Sequence, residues 1–125
     1  MNRALGMAAA ALGASALMLG AYGTHTLRVQ AGADAFAIWE VGVDFQFFHT
    51  LAILAIAGFA PRAERWWARS GWALVSGCVV FCGALYALAL GAPSAIGAVP
   101  PLGALLLLAG WILAGIAFWC SASSK

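Results

Sequence analysis

The most constraining feature of this sequence is the stretch from residue 70 to residue 124, which contains no Asp, Glu, Lys or Arg. A helix that crosses the hydrocarbon core of a bilayer needs about 20 apolar residues, so this stretch is long enough for two spans. Glycine and proline at residues 91–94 and the proline pair at residues 100–101 are typical of turns and divide it. We therefore predict spans over about residues 67–90 and 102–119.

The N-terminal half contains two further apolar stretches. Residues 4–22 carry no charge, which predicts a first span. This stretch also has the form of a signal peptide, with small residues at 14–16 as a cleavage site. The apolar run continues past that site, so we expect a retained span. Another span is predicted over residues 35–60, with Asp34 as its N-cap.

The composition leaves no room for a separate soluble domain. Of the 125 residues, 65% are hydrophobic and only 8% are charged, and the mean hydropathy is +0.98. A soluble domain of this length needs more charge to cover its surface. We therefore predict a single integral membrane domain over residues 1–125 with an all-α fold, a polytopic four-helix bundle.

Basic residues gather on one side of the predicted bundle, and Arg28 alone falls on the other side. The crowded side carries Arg3, Arg62, Arg65, Arg69 and Lys125. Because cytoplasmic loops are enriched in Lys and Arg, we predict a multi-pass inner-membrane protein with both termini in the cytoplasm. Tryptophans near the two membrane surfaces are expected to be interfacial anchors. They are Trp66, Trp67, Trp72 and Trp119 on the cytoplasmic side and Trp39 on the outer side.

Glycines recur at intervals of seven residues in the first and last predicted spans. They are Gly6, Gly13 and Gly20 in the first span, and Gly103 and Gly110 in the last. Small residues let membrane helices approach closely, and a seven-residue repeat indicates near-parallel packing. We interpret these glycines as helix-packing positions within one bundle. A contact between two copies of the chain is the alternative.

The second span carries four polar residues in its first half. Glu40 and Asp44 are four residues apart on one face, and Gln46 and His49 are three apart on a broadly opposite face. Ionisable groups inside a membrane are unfavourable and need a partner. We therefore expect this span to be packed on more than one side.

These residues predict a polar pocket that opens outward, with Arg28 as an ion-pair partner for Glu40 or Asp44. Its members are His25, Arg28, Glu40, Asp44, Gln46, His49 and Tyr86. A structural hydrogen-bond network, a proton path and a ligand site are three interpretations of such a pocket. Cys78 and Cys82 are one helical turn apart and could suit a soft metal, but buried cysteine is more often an apolar filler. We predict no metal site and no cofactor.

The sequence favours some functional classes over others. It shows no arrangement of a nucleophile and a base and no phosphate-binding glycine loop, so we predict no enzyme and no catalytic residues. The net charge of +2 is too small to indicate nucleic-acid binding. The expected partners are the lipid bilayer and a membrane protein or a second copy of the chain. Three hypotheses remain: a non-enzymatic helical subunit or scaffold, a small proton-coupled carrier or channel that uses Asp44 and His49, and an accessory subunit of a redox complex.

The order of several short motifs resembles that of one known family, the small membrane proteins that include bacterial YgdD and animal transmembrane protein 256. The motifs lie at residues 20–25, 39–40, 45–49, 83–86 and 97–103. The resemblance implies four spans and supplies no reaction and no ligand, because the function of that family is unknown. It also implies that His25, Glu40, Gln46, His49 and Tyr86 belong to the family pattern. Asp44 departs from that pattern, which usually has a neutral amide there.

Overall fold

The computed structural model describes residues 2–59 and 65–122, and within those ranges every regular element is helical. The all-α prediction is confirmed for this part of the chain. The elements are α1 (Arg3–Tyr22), a π-helical turn (Gly23–Leu27), α2 (Arg28–Phe59), α3 (Arg65–Ala89), a 3-10 turn (Ser94–Ala98) and α4 (Val99–Ala122).

Three helical stretches in these ranges are long and apolar enough to cross a membrane, where the sequence predicts four spans. They are Arg3–Gly58, Arg65–Ala89 and Ser94–Ala122. The difference arises because the residues between the first two predicted spans form helix rather than a loop. Asp34 accordingly lies inside α2 and does not begin it.

The first stretch is folded back on itself at a single residue, Gly32. Its φ of 86° and ψ of 179° are not helical, and the positive φ suits a glycine. Beyond it the chain returns along α1, because the Asn2 amide donates a hydrogen bond of 2.9 Å to the Ala57 carbonyl. We call this unit the hairpin, with arms over residues 3–31 and 33–59 and its tip at Gly32.

The glycines of α1 lie along the contact between the two arms. A Cβ added at Gly6, Gly13 or Gly20 would lie 4.0, 3.3 or 3.4 Å from the side chains of Ala57, Thr50 or Val43 respectively. Each step of seven residues toward the C-terminus of the first arm matches a step of seven residues toward the N-terminus of the second arm. The arms are therefore antiparallel, and the seven-residue glycine spacing lets them approach closely.

A left-handed glycine ends α3 and turns the chain toward α4. Gly91 has a φ of 90°, and the Ala92 amide donates to the Ala87 carbonyl at 2.9 Å, which is the bond of a Schellman cap. Pro100 and Pro101, expected at the break, lie in the first turn of α4. Proline is tolerated there because the first amides of a helix have no partner within it.

Close glycine contacts also join α3 to α4. A Cβ added at Gly103 would lie 2.5 Å from the Phe81 backbone nitrogen, and one added at Gly110 would lie 2.6 Å from the Leu74 side chain. The backbones of the two helices therefore touch at these positions, and α3 lies between α2 and α4.

The five tryptophans differ in burial, which corrects the expectation that all of them are interfacial anchors. Trp39 and Trp67 are buried, with 3% and 8% of their surface exposed. Trp72 and Trp119 are exposed. Trp66 is half-buried and lies under the guanidinium groups of Arg65 and Arg69, 5.4 and 5.0 Å from its ring centre. The basic end of the bundle, which carries Arg3, Arg65 and Arg69, is therefore also rich in aromatic side chains.

Candidate functional site

The buried amide of Gln46 lies where three helices meet. Its Nε2 donates one hydrogen bond to the Leu12 carbonyl and another to Ser15 Oγ, both 2.8 Å long. Its Oε1 accepts a hydrogen bond of 2.7 Å from the Tyr86 hydroxyl. Both N–H groups of the amide are thus paired by groups on α1, and its carbonyl is paired by a group on α3. We call Gln46, Ser15 and Tyr86 the amide clamp.

Aromatic rings cover the amide clamp on the side of the hairpin tip. The Trp39 ring centre lies 4.5 Å from that of Tyr86 and 5.3 Å from that of Tyr22. The Trp39 indole donates a hydrogen bond of 2.8 Å to the Leu19 carbonyl of the facing arm. A Cβ added at Gly23 would lie 2.6 Å from this indole. The indole therefore lies against the π-helical turn, a type of turn that is rare in proteins.

Gly42 provides the surface on which the Tyr86 ring lies. A Cβ added at Gly42 would lie 2.7 Å from Cε1 of Tyr86, closer than real carbon contacts allow. The tyrosine hydroxyl can reach Gln46 because α2 has no side chain at this position. Glycine at residue 42 is therefore part of the clamp geometry.

His49 lies on the same buried face of α2, nearer the basic end. Its Nδ1 is 2.8 Å from the Phe45 carbonyl oxygen, and because a carbonyl only accepts, Nδ1 carries a proton. Aromatic rings of Phe45, Phe48 and Trp111 surround the imidazole, with centres 5.7, 6.2 and 6.2 Å away. The side chain is 7% exposed and forms part of the packing between α2 and its neighbours.

Beside His49, Thr50 contributes a buried hydroxyl that has no hydrogen-bond partner among the described residues. Its methyl group contacts the α1 backbone at Gly13. An unpaired buried hydroxyl costs about 1–3 kcal/mol. The amide clamp therefore supplies the hydrogen bonds that link the arms here, and Thr50 contributes packing.

Two of the three carboxylates of α2, Glu40 and Asp44, lie on its other face. Glu40 and Asp44 are exposed, and neither forms a hydrogen bond or an ion pair within the described ranges. Arg28, the expected partner, lies over the Phe36 ring at 5.4 Å from its centre. His25 is exposed on the π-helical turn.

The structure does not bring the seven predicted pocket residues together. Gln46 and Tyr86 are bonded, and His49 shares their face, whereas His25, Arg28, Glu40 and Asp44 lie on the surface. The expected packing of α2 on more than one side is therefore wrong for the part of the helix that carries the carboxylates. The reason is geometric, because α1 and α3 both contact the face of Trp39 and Gln46, about 100° or more around the helix from Glu40 and Asp44.

Sequence reasoning missed three members of this site: Ser15, Trp39 as a buried residue, and Gly42. The sequence marks Ser15 only as part of a predicted cleavage site. A seven-residue spacing of Trp39, Gln46 and Ile53 marks the buried face of α2 and could have placed Trp39 beside Gln46.

The cysteines form none of the hydrogen bonds of the amide clamp, although Cys82 lies one helical turn from Tyr86 on α3. Cys78 and Cys82 are buried in α3, and Cys120 is exposed on α4. No group of three or more His, Cys, Asp or Glu side chains with metal-binding geometry occurs among residues 2–59 and 65–122.

Comparison with known proteins identifies a family. The family model described as "Protein of unknown function (DUF423)" matches residues 19–104, which include the hairpin tip, Gln46, His49 and Tyr86. The inner membrane protein YgdD of Escherichia coli K12 is 41% identical over 96 residues, which are 76% of this chain and 73% of that protein.

Two further relatives come from Gram-positive bacteria. The membrane protein YwdK of Bacillus subtilis is 31% identical over 104 residues, 82% of this chain and 85% of that protein. The membrane protein SH2409 of Staphylococcus haemolyticus is 36% identical over 97 residues, 75% of this chain and 77% of that protein. No solved structure matches the chain. The chain therefore belongs to the DUF423 family, whose members carry the name UPF0382 membrane protein and have no known function.

Proposed function

We propose that this protein is a non-enzymatic inner-membrane protein of four spans that serves as a helical subunit or scaffold. The observation that carries the proposal is the complete pairing of the Gln46 side chain between α1, α2 and α3. A fully paired buried amide fixes how helices align, and it has no group left for a substrate. The amide clamp is thus a structural device rather than a reaction site.

Four spans follow if each arm of the hairpin crosses the membrane. A straight helix over residues 3–58 would be about 84 Å long, against a hydrocarbon core of about 30 Å. The contact between Asn2 and Ala57 supports two antiparallel crossings in its place. Each arm exceeds the length of about 20 residues that a crossing requires.

The proposed orientation rests on the arginines. Arg3, Arg65 and Arg69 lie at the ends of helices opposite the hairpin tip, and Arg28 lies beside the tip. Under the positive-inside rule the basic end faces the cytoplasm and the tip faces outward. In a variant with its native cysteines replaced, Gln30→Cys should react with an impermeant maleimide in intact cells, and Arg65→Cys should react only after permeabilisation. The reverse pattern would contradict this orientation.

The geometry favours a scaffold over a proton path through Asp44 and His49. These residues are five positions apart, about 140° around the helix, with Asp44 outward and His49 inward. The Nδ1 proton of His49 is committed to the Phe45 carbonyl. A chain of proton donors and acceptors from one residue to the other would have to pass through the packed body of α2.

The test is proton flux in vesicles that contain the purified chain. We expect vesicles with wild-type protein to hold a pH gradient as long as protein-free vesicles do, and Asp44→Asn to change nothing. A leak in the wild type that disappears in Asp44→Asn would overturn the scaffold proposal and support the carrier. An established proton channel reconstituted in parallel shows that the assay detects flux.

A further inference from the structure

The face of α2 directed away from the bundle combines charged and bulky apolar side chains. We call it the outward face and define it by Glu40, Val41, Asp44, Phe48 and Leu51. On a helical wheel these five residues fall within about 100°. Val41, Phe48 and Leu51 are 45%, 70% and 66% exposed. No other described element covers the two carboxylates.

The position of Asp44 along the arm places it well inside the hydrocarbon. At about 1.5 Å per residue, Asp44 lies about 18 Å from Gly32 and about 20 Å from Ala57. A hydrocarbon core of about 30 Å must cover most of this arm. Wherever the core lies along residues 33–59, Asp44 is therefore at least about 7 Å from either surface, and Glu40 lies about 6 Å closer to the tip.

A lipid-facing carboxylate at this depth is unfavourable unless another group pairs with it. The described residues supply no such group, because neither carboxylate has a hydrogen bond or an ion pair within residues 2–59 and 65–122. The described arginines lie at the ends of the helices, and Arg28 beside the tip contacts the Phe36 ring. Another molecule is therefore the expected source of the partner group.

A second copy of the chain does not satisfy the outward face. Two copies with the same orientation would bring carboxylates to the same depth and set like charges together. The exposed surfaces of α1 and α4 near that depth carry apolar residues such as Met18 and Leu102, which are 72% and 60% exposed. Copies of opposite orientation would place their basic ends on both sides of the membrane, against the positive-inside rule.

We infer that the outward face of α2 docks a membrane-spanning helix of a different protein, one that carries a lysine or an arginine in the half of the bilayer nearer the hairpin tip. The cation pairs with Asp44, and with Glu40 if it lies toward the surface. The apolar side chains of Val41, Phe48 and Leu51 pack against that helix on either side of the charge pair. This inference rests on the proposed function, since it requires the arm over residues 33–59 to cross the membrane.

The test uses a photo-reactive amino acid at Val41 of the full chain, at natural abundance in the native membrane. We expect an adduct with a different protein, and we expect fragment mass spectrometry to place the link in a span with a Lys or Arg. Asp44→Asn should reduce the adduct yield about tenfold or more, because the partner cation loses its counter-charge. Asp34→Asn is the matched control beside the hairpin tip and should leave the yield unchanged.

Three results would overturn the inference. An adduct of two copies of this chain would make the outward face a self-interface. Adducts with lipid alone would leave the carboxylates facing the bilayer. An adduct that persists in Asp44→Asn would show that charge pairing does not hold the partner. The proton-flux measurement separates the two proposals. If any of these results is found while the vesicles with wild-type protein still hold a pH gradient, the docking inference fails and the scaffold proposal stands.

Discussion

The inward and outward faces of α2 both carry polar side chains at membrane depth, but the fold satisfies them differently. The inward face is the buried face of α2 that carries Trp39 and Gln46. There, every hydrogen-bonding group of Gln46 is paired by α1 and α3. Asp44, two residues earlier on the outward face, has no partner among the described residues. Polar groups on one helix can thus differ in role, because those that the described residues pair fix the fold, and those left unpaired and exposed are available to another molecule.

The largest effect should come from filling the inward surface at Gly42. A Cβ there would lie 2.7 Å from the Tyr86 ring, so Gly42→Val must push Tyr86 away and break its bond to Gln46. We expect the free energy of unfolding in mixed micelles to fall by about 3 kcal/mol.

Gly58→Val on the same helix is the matched control for that substitution. Nothing lies within 4 Å of a Cβ added at Gly58. The free energy of unfolding should therefore fall by well below half as much in Gly58→Val as in Gly42→Val. Equal losses of unfolding free energy in the two variants would show that the contact between residue 42 and Tyr86 does not contribute to stability.

A smaller effect should follow from removing one hydroxyl of the inward face. Tyr86→Phe deletes the donor to Gln46 Oε1 and leaves the ring in place. The expected loss in the free energy of unfolding is about 1 kcal/mol. Tyr22→Phe removes a hydroxyl that forms no hydrogen bond within the described ranges and should change this free energy by less than about 0.5 kcal/mol. If Tyr22→Phe lowered the free energy of unfolding as much as Tyr86→Phe, the hydrogen bond from Tyr86 to Gln46 would not explain the loss.

The outward face should give the smallest effect in the purified chain. Asp44→Asn removes a charge that pairs with nothing among residues 2–59 and 65–122, so the free energy of unfolding should change by less than about 0.5 kcal/mol. A loss of 2 kcal/mol or more on an equilibrium unfolding curve would mean that Asp44 has an internal partner after all, at about the cost of breaking a charged hydrogen bond.

The sequence predicts the helices and the spacing of their contact residues well. It says less about which side of α2 its neighbouring helices cover. The seven-residue spacing of Gly6, Gly13 and Gly20 predicts a packing face, and the structure places that face against the second arm. A helical wheel also separates Glu40 and Asp44 from Gln46 and His49. It cannot say which side the neighbouring helices cover, because that depends on tertiary contacts such as those of Trp39 and Tyr86.

The connection between the first two predicted spans was the part that sequence reasoning placed wrongly. A charged and polar segment after Tyr22 is typical of a loop, yet the chain stays helical through Leu27 and beyond. The reversal is confined to Gly32, with its positive φ. A lone glycine among helix-forming residues gives no strong turn signal, since glycine also occurs within membrane helices.

The most direct test of the contrast between the two faces compares two substitutions of neighbouring polar residues by the same apolar one, Gln46→Leu and Asp44→Leu. The measurement is the free energy of unfolding of each purified variant in mixed micelles, with Gln30→Leu as a surface control near the hairpin tip. We expect a loss of about 1–3 kcal/mol for Gln46→Leu, because Tyr86 and Ser15 lose their shared partner, and no loss for Asp44→Leu. A loss in Asp44→Leu that equals or exceeds that in Gln46→Leu would contradict this expectation.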